Sequence, residues 1–233
     1  MKKGEERFQR PIDLRTIYER LMGKFGSQGW WPAESTFEIL IGAILTQRTN
    51  WKNVEKAMDK LKGTFPIEPK SIAEAPLDLL QNLIRSAGFY RQKAERLKAV
   101  ASYICSSYGG SIEAFMSESL DKLRDELISI KGVGLETADS ILLYAANKRI
   151  FPVDAYTRRI FGRLGFREAE SLPYEGLRLW IQEQLPKNPD LFKEFRALIV
   201  RLAKDYCRKR PLCQNCPLGD LCEEGQRSLS IVK

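Results

Sequence analysis

Residues 120–147 hold two amphipathic helical segments with almost nothing between them. In "SLDKLRDELISI", Leu120, Leu123, Leu127 and Ile130 fall on one helical face. In "LETADSILLYAAN", Leu135, Ala138, Ile141, Leu142 and Ala145 do the same. Only "KGVG", Lys131 to Gly134, joins them. A connection that short needs positive φ values, which Gly132 and Gly134 supply without a Cβ clash. Glycine also lets a ligand approach the backbone. The first N–H groups of the second helix lack intrahelical acceptors and carry the positive end of the helix dipole, so a phosphate oxygen is a fitting partner. A purely steric role for the two glycines accounts for the turn as well, and both readings stand at this point.

Helical periodicity recurs along the chain and alternating strand patterns are scarce, which predicts an all-α fold. "TFEILIGAILT", residues 36–46, is apolar nearly all round and reads as a central buried helix. Asn50 is placed to cap the next helix, "WKNVEKAMDKLK", and Gly63 to end it. Further on, "FPVDAYTRR" breaks at Pro152 and starts a basic helix, with Asp154 as its natural N-cap after a buried Val153.

The chemistry open to this chain is narrowed by what it lacks. No histidine occurs, so a Ser-His-Asp triad, a His-ligated metal and a His general base are excluded. Catalysis must run on carboxylates, Lys, Tyr, Cys or a cofactor. Lys plus Arg total 38 against 30 Asp plus Glu, a formal charge of +8, which suits a polyanion and nucleic acid first among these. The N-terminal "MKKGEERFQR" has no apolar stretch of a secretion signal, and no apolar run approaches the roughly 20 residues that span a bilayer. A cytoplasmic protein with no membrane partner is expected.

Of five cysteines, Cys105 reads as a core thiol. The others crowd into "CRKRPLCQNCPLGDLC" as Cys207, Cys213, Cys216 and Cys222, a C-x5-C-x2-C-x5-C spacing. Four thiols so close in a chain of this kind point to a metal rather than to disulfides. Four-cysteine zinc sites usually join two C-x2-C knuckles, and only one is present, so the wider loops favour a [4Fe–4S] cluster over zinc. The adjacent Arg208, Lys209 and Arg210 make a basic loop able to touch phosphate, and a structural staple for the C-terminus is the simpler role.

"ILTQRT", "AGFYRQKAERL", "IKGVGLETAD", "FPVDAYTRR" and the cysteine tail, in this order, resemble the helix-hairpin-helix DNA glycosylases of the endonuclease III superfamily over about residues 35–222. The resemblance implies an all-α, two-lobed protein: a six-helix barrel over 38–148, and a second lobe from 1–37 plus 149–233 carrying a [4Fe–4S] loop at 207–222. It implies a monomer, associated with the nucleoid through DNA, that binds double-stranded DNA containing a damaged base across the groove between lobes. The hairpin, Lys131, Gly132, Val133 and Gly134, would grip the DNA backbone while one nucleotide is flipped out. Gln47, followed by Arg48, matches the glutamine that fills the gap left by the flipped base. Asp154 matches the catalytic aspartate, whose carboxylate can stabilise positive charge on the sugar and orient a water.

Two departures from the family pattern matter. The first cysteine spacing is x5 where endonuclease III has x6, with "LIVRLAKDYC" one residue longer before it. Bifunctional members carry a Schiff-base lysine where this chain has Glu136, and a carboxylate forms no imine. A monofunctional glycosylase is therefore expected, with Lys131 and Lys148 the substitute amines for a lyase. "GWWPAES" pairs Trp30 and Trp31 before Pro32. These rings are packing residues or a stacking wall for the flipped base, and an indole face attracts a cationic alkylated purine such as 3-methyladenine. The resemblance places Glu136 at the base pocket as well, a turn beyond the hairpin, and this acid with the tryptophan stretch looks most similar to endonuclease III-like 3-methyladenine glycosylases. Adenine glycosylases carry a catalytic Glu at about Ala43, which argues against that substrate. The alternatives are a bifunctional glycosylase/AP lyase, a mismatch uracil or thymine glycosylase, and a non-catalytic DNA-binding module.

Overall fold

The structure, a computed structural model, describes residues 13–230; the N-terminal decamer considered above lies outside the described residues. Among the described residues there is helix and no strand. In chain order the helices are α1 (Leu14–Phe25), α2 (Thr36–Leu45), α3 (Trp51–Lys62), α4 (Pro69–Glu74), α5 (Leu77–Leu83), α6 (Tyr90–Tyr108), α7 (Ile112–Ser117), α8 (Leu120–Ser129), α9 (Leu135–Tyr144), α10 (Ala155–Leu164), α11 (Glu168–Ser171), α12 (Tyr174–Glu183), α13 (Pro189–Asp205) and α14 (Glu223–Ser230). None of them is long and apolar enough to cross a membrane.

The chain divides into two compact units. One takes Gly29–Val153 with Asn188–Lys193; the other takes residues 13–28, Asp154–Lys187 and 194–230.

In the first unit, α2 is the axis. Phe37, Leu40, Ile41, Ile44 and Leu45 are buried, at roughly 1.5–3 kcal/mol for each large apolar side chain removed from water. Helices α6 and α9 pack on it. Local signals start each helix. Ser35 accepts from Glu38 N at 3.2 Å to begin α2, and Asn50 accepts from Asn53 N at 3.1 Å to begin α3, which Gly63 ends as expected. Helix α6 ends at Gly109, in the left-handed region. Cys105, expected in the core, is half-exposed: Ile104 and Ala101 take the inward face of α6.

One buried cation organises this unit. Lys93 on α6 is wholly buried, and its Nζ donates to Leu45 O and Ala87 O, both at 2.8 Å. It thus satisfies the last carbonyl of α2 from 48 residues away. Burial, and secondarily the charge of Arg96, push its amine down to about 8.

In the second unit, Phe161 is buried and in ring contact with Phe166, Trp180 and Phe195, and α10 packs against α11 and α14. Arg20 of α1 holds both oxygens of Asp220 at 2.6 and 2.7 Å, tying the first helix to the cysteine loop.

Candidate functional site

The hairpin closes as its length requires, with one correction. Gly132 has φ +90°, but Gly134 has φ −91° and ψ 175°, an extended conformation open to any residue. One left-handed residue is enough, because Gly134 is already the N-cap of α9 and an N-cap is extended. The two glycines differ in surroundings too. A Cβ on Gly132 would come within 2.2–2.7 Å of the Arg96 side chain, whereas nothing lies within 4 Å of one on Gly134. Gly132 is required by the protein's own packing. At Gly134 the space faces outward, so the protein itself does not demand glycine there. Lys131 is exposed, while Val133 is buried and anchors the turn.

Gln47 reaches this turn from the end of α2. Its Nε2 donates to Gly132 O at 3.2 Å and to Thr137 Oγ1 at 2.9 Å, and its Oε1 accepts from Arg96 Nη1. Gln47, Arg96, Gly132 and Thr137 form one interlocked cluster, in which both amide hydrogens of Gln47 are used. Arg48, next in sequence, is exposed with φ +55°, an uncommon conformation for a residue with a side chain.

Phe89 went unnoticed in the sequence. It is 55 % exposed at φ +46°, between Gly88 and α6. Arg85 and Arg91 stack on its neighbour Tyr90, at 5.5 and 5.9 Å from the ring centroid. A large apolar side chain held out into solvent at a positive φ makes this a candidate contact surface. The available signal was a large apolar residue in "AGFYRQK", directly after a glycine.

Trp30 and Trp31 belong to an aromatic cluster completed by Trp51, so that three of the chain's four tryptophans meet. Trp31 stands at 90° to Trp51 with centroids 5.3 Å apart, and at 59° to Tyr144. Its indole lies on the backbone of α2 where Gly42 has no side chain: a Cβ there would be 3.1 Å from the ring. Trp31, Pro32, Gly42, Trp51 and Met58 line a pocket together with Glu38, Glu55, Asp59 and Lys62. Three carboxylates against one ammonium make it net negative. Lys62 is held protonated, first by its hydrogen bond to Glu38 at 2.8 Å and also by Glu34 at 3.1 Å. Neither Trp30 nor Glu136 lines this pocket; Trp30 packs edge-on against Trp51 at 4.6 Å, and Glu136 is exposed in the first turn of α9.

Asp154, in the second unit, caps α10. Its Oδ1 accepts from Thr157 N at 2.8 Å and Thr157 Oγ1 at 3.0 Å. Its Oδ2 faces Arg196 Nη2 at 3.4 Å. The carboxylate is buried, with 8 % of its surface exposed.

The four tail cysteines form no disulfide, and Cys207, Cys213, Cys216 and Cys222 line one cavity with Arg163, Tyr206, Pro211 and Leu212. Burial first, and the charges of the other three cysteines after it, push the Cys216 thiol up to about 11. Arg163 Nη1 donates to Cys207 Sγ at 3.3 Å and to Arg208 O at 2.7 Å, and Nη2 donates to Lys209 O at 3.2 Å. Cys222 Sγ donates to Arg163 O at 3.0 Å. The side chains of Arg208, Lys209 and Arg210 are exposed. Among the described residues no three or more His, Cys, Asp or Glu groups are disposed to hold one metal ion.

Residues 41–180 match the HhH-GPD superfamily of base excision DNA repair proteins. A Methanocaldococcus jannaschii protein described as a "Putative DNA repair glycosylase" is 48 % identical over 88 % of this chain and 94 % of its own length. The structure of a non-covalent endonuclease III–DNA complex superposes with a TM-score of 0.79 at 25 % identity, covering 93 % of this chain and 96 % of that one. A 3-methyladenine DNA glycosylase of H. pylori, bound to 1,N6-ethenoadenine, gives 0.74 at 30 % identity, covering 83 % and 98 %. With the match running through the hairpin and Asp154, the chain belongs to the HhH-GPD superfamily of base excision DNA repair proteins, as a DNA N-glycosylase.

Proposed function

We propose that this enzyme is a monofunctional glycosylase that hydrolyses the N-glycosidic bond of a damaged base flipped out of duplex DNA, an alkylated purine such as 3-methyladenine. Glu136 carries the reading. By the family resemblance it stands where the lyases have their imine-forming lysine, and it is exposed in the first turn of α9; a carboxylate cannot make that imine. The buried Lys93 amine offers no substitute, since both its hydrogen bonds go to main-chain carbonyls and it is closed to solvent.

Asp154 supplies the chemistry. As the C1′–N bond breaks, the bonding electrons leave with the base and the sugar becomes cationic; a carboxylate facing it stabilises that charge and orients a water onto C1′. An N-alkylated purine carries its own positive charge and departs neutral, so no strong general acid is needed, in keeping with a chain that has no histidine. The net-negative pocket with Trp31 and Trp51 in its walls supports a cationic base, by stacking and by charge. Gln47 fills the gap left in the duplex, Phe89 wedges beside it, and Arg48 and the hairpin hold backbone phosphates. The barrel of this reading spans 38–148, and the exposed Arg208, Lys209 and Arg210 touch phosphate from the other unit, on DNA bound by a monomer.

The cysteine loop fits a [4Fe–4S] cluster held by Cys207, Cys213, Cys216 and Cys222. The four cysteines line one cavity, and Arg163 Nη1 donates to Cys207 Sγ, which would offset charge on a ligand sulfur. A cluster bound there would give the basic loop a rigid support.

A panel of duplexes bearing alkylated purines, oxidised pyrimidines, and U·G and T·G mismatches, scored for base release with and without alkali, tests the reading. Release from alkylated DNA with strand breaks only after alkali is expected. Borohydride trapping of a covalent complex would establish the endonuclease III-like lyase alternative, which the similarity to the endonuclease III–DNA complex favours.

A further inference from the structure

We propose that Arg196 is a positioning residue for Asp154: it fixes the carboxylate oxygen that the helix cap leaves over. The inference rests on the reading of Asp154 as the reacting carboxylate. The cap uses one oxygen only. Thr157 N and Oγ1 both donate to Oδ1, and these two bonds alone leave Oδ2 to swing about the Cγ–Oδ1 direction. Arg196 Nη2 stands 3.4 Å from Oδ2 and so holds the plane of the carboxylate from its second end. The guanidinium comes from α13, between Phe195, which is buried, and Leu198 and Ile199, which are also buried. Its side chain is 12 % exposed, so it is itself held in place and poorly hydrated.

A merely structural pair is a weak explanation here. Taking two charges out of water costs more than an apolar pair of similar volume, and burial of such a pair is poor evidence for stability. A cation this close also opposes the positive charge that grows on the sugar. The gain is therefore geometric: a carboxylate aimed before DNA arrives needs no reorganisation during bond cleavage. Misplacement of a catalytic group by about 1 Å is enough to cost on the order of 10²-fold in rate.

Arg196→Gln, Arg196→Lys and Asp154→Asn test this on N-methylated duplex DNA, with released 3-methyladenine measured under single-turnover conditions. Arg196→Gln should slow release by roughly 10- to 100-fold, leave the affinity for the same duplex unchanged, and move the acid limb of the pH–rate profile upward. Arg196→Lys, which keeps the cation, should recover most of the rate. The proposal is overturned if Arg196→Gln works at the wild-type rate beside an inactive Asp154→Asn. It is also overturned if both Arg196 variants lose rate only in step with a fall in melting temperature, with the pH profile unmoved. Full activity in Asp154→Asn is a different pattern, which removes the reading of Asp154 and this inference with it.

Discussion

Arg124 on α8 grips both oxygens of the wholly buried Asp139 on α9, Nε to Oδ1 at 2.7 Å and Nη2 to Oδ2 at 3.2 Å. The two helices of the hairpin are thus joined by charge more than one helical turn from the glycine loop. Breaking one side of such a pair strands a buried charge. Arg124→Met should cost about 3–5 kcal/mol, read by urea unfolding, and the double change to apolar residues should restore much of it.

Gly132→Ala and Gly134→Ala should separate folding from DNA binding. The first forces a side chain to φ +90° and into Arg96, and about 1–3 kcal/mol of stability should be lost. The second meets open space at an ordinary φ. Its weaker N-cap and its stiffer unfolded chain offset each other within about 1 kcal/mol. Duplex affinity should fall in both, and in Gly134→Ala with the melting temperature almost unchanged.

Lys93 gives folding a pH dependence of predictable sign. Its amine sits at about 8 in the fold against an ordinary 10.5, so between these values the unfolded chain binds more protons and stability rises with pH. Below about pH 8 the full penalty of a buried charge applies, on the order of 3 kcal/mol. A neutral amine still has two hydrogens for Leu45 O and Ala87 O, so the bonds survive deprotonation. Denaturant midpoints from pH 7 to 10.5 should show this rise over the wild type's other titrations, and Lys93→Met should lose it while being less stable throughout.

Iron and acid-labile sulfide analysis of anaerobically purified protein should find the cluster, and zinc alone would refute it. Cys216→Ala should lose the visible absorption. Arg163→Met keeps all four thiols yet removes the clamp on Cys207 Sγ and on two loop carbonyls, so iron should pass to a chelator several times faster.

What could be read from sequence was what acts within a few residues. Asn50, Gly63 and Asp154 cap or end helices because their partners lie three or four positions away. Cys207 to Cys222 are near neighbours along the chain and gather on one cavity for the same reason. Lys93 was opaque because "RQKAERL" looks like a solvated face, and only the packing of α2 on α6 buries its ammonium. Trp51 gives no sequence signal at the head of an amphipathic helix, since its partners, Trp30 and Trp31, come from a segment some 20 residues earlier. The acids that line the pocket around Trp31 come from α2 and α3, and sequence distance hides them because they belong to other helices than Glu136. Gly134 was given a positive φ on residue type alone, although a helix start needs none.

Asp154 has divided loyalties, one oxygen for the start of α10 and the other turned toward Arg196. An amide in its place can keep the first and loses the second, trading the charge for a donor that meets another donor. On the proposed reading of Asp154, a single oxygen-to-nitrogen exchange should therefore leave a protein that still binds its DNA and releases no base.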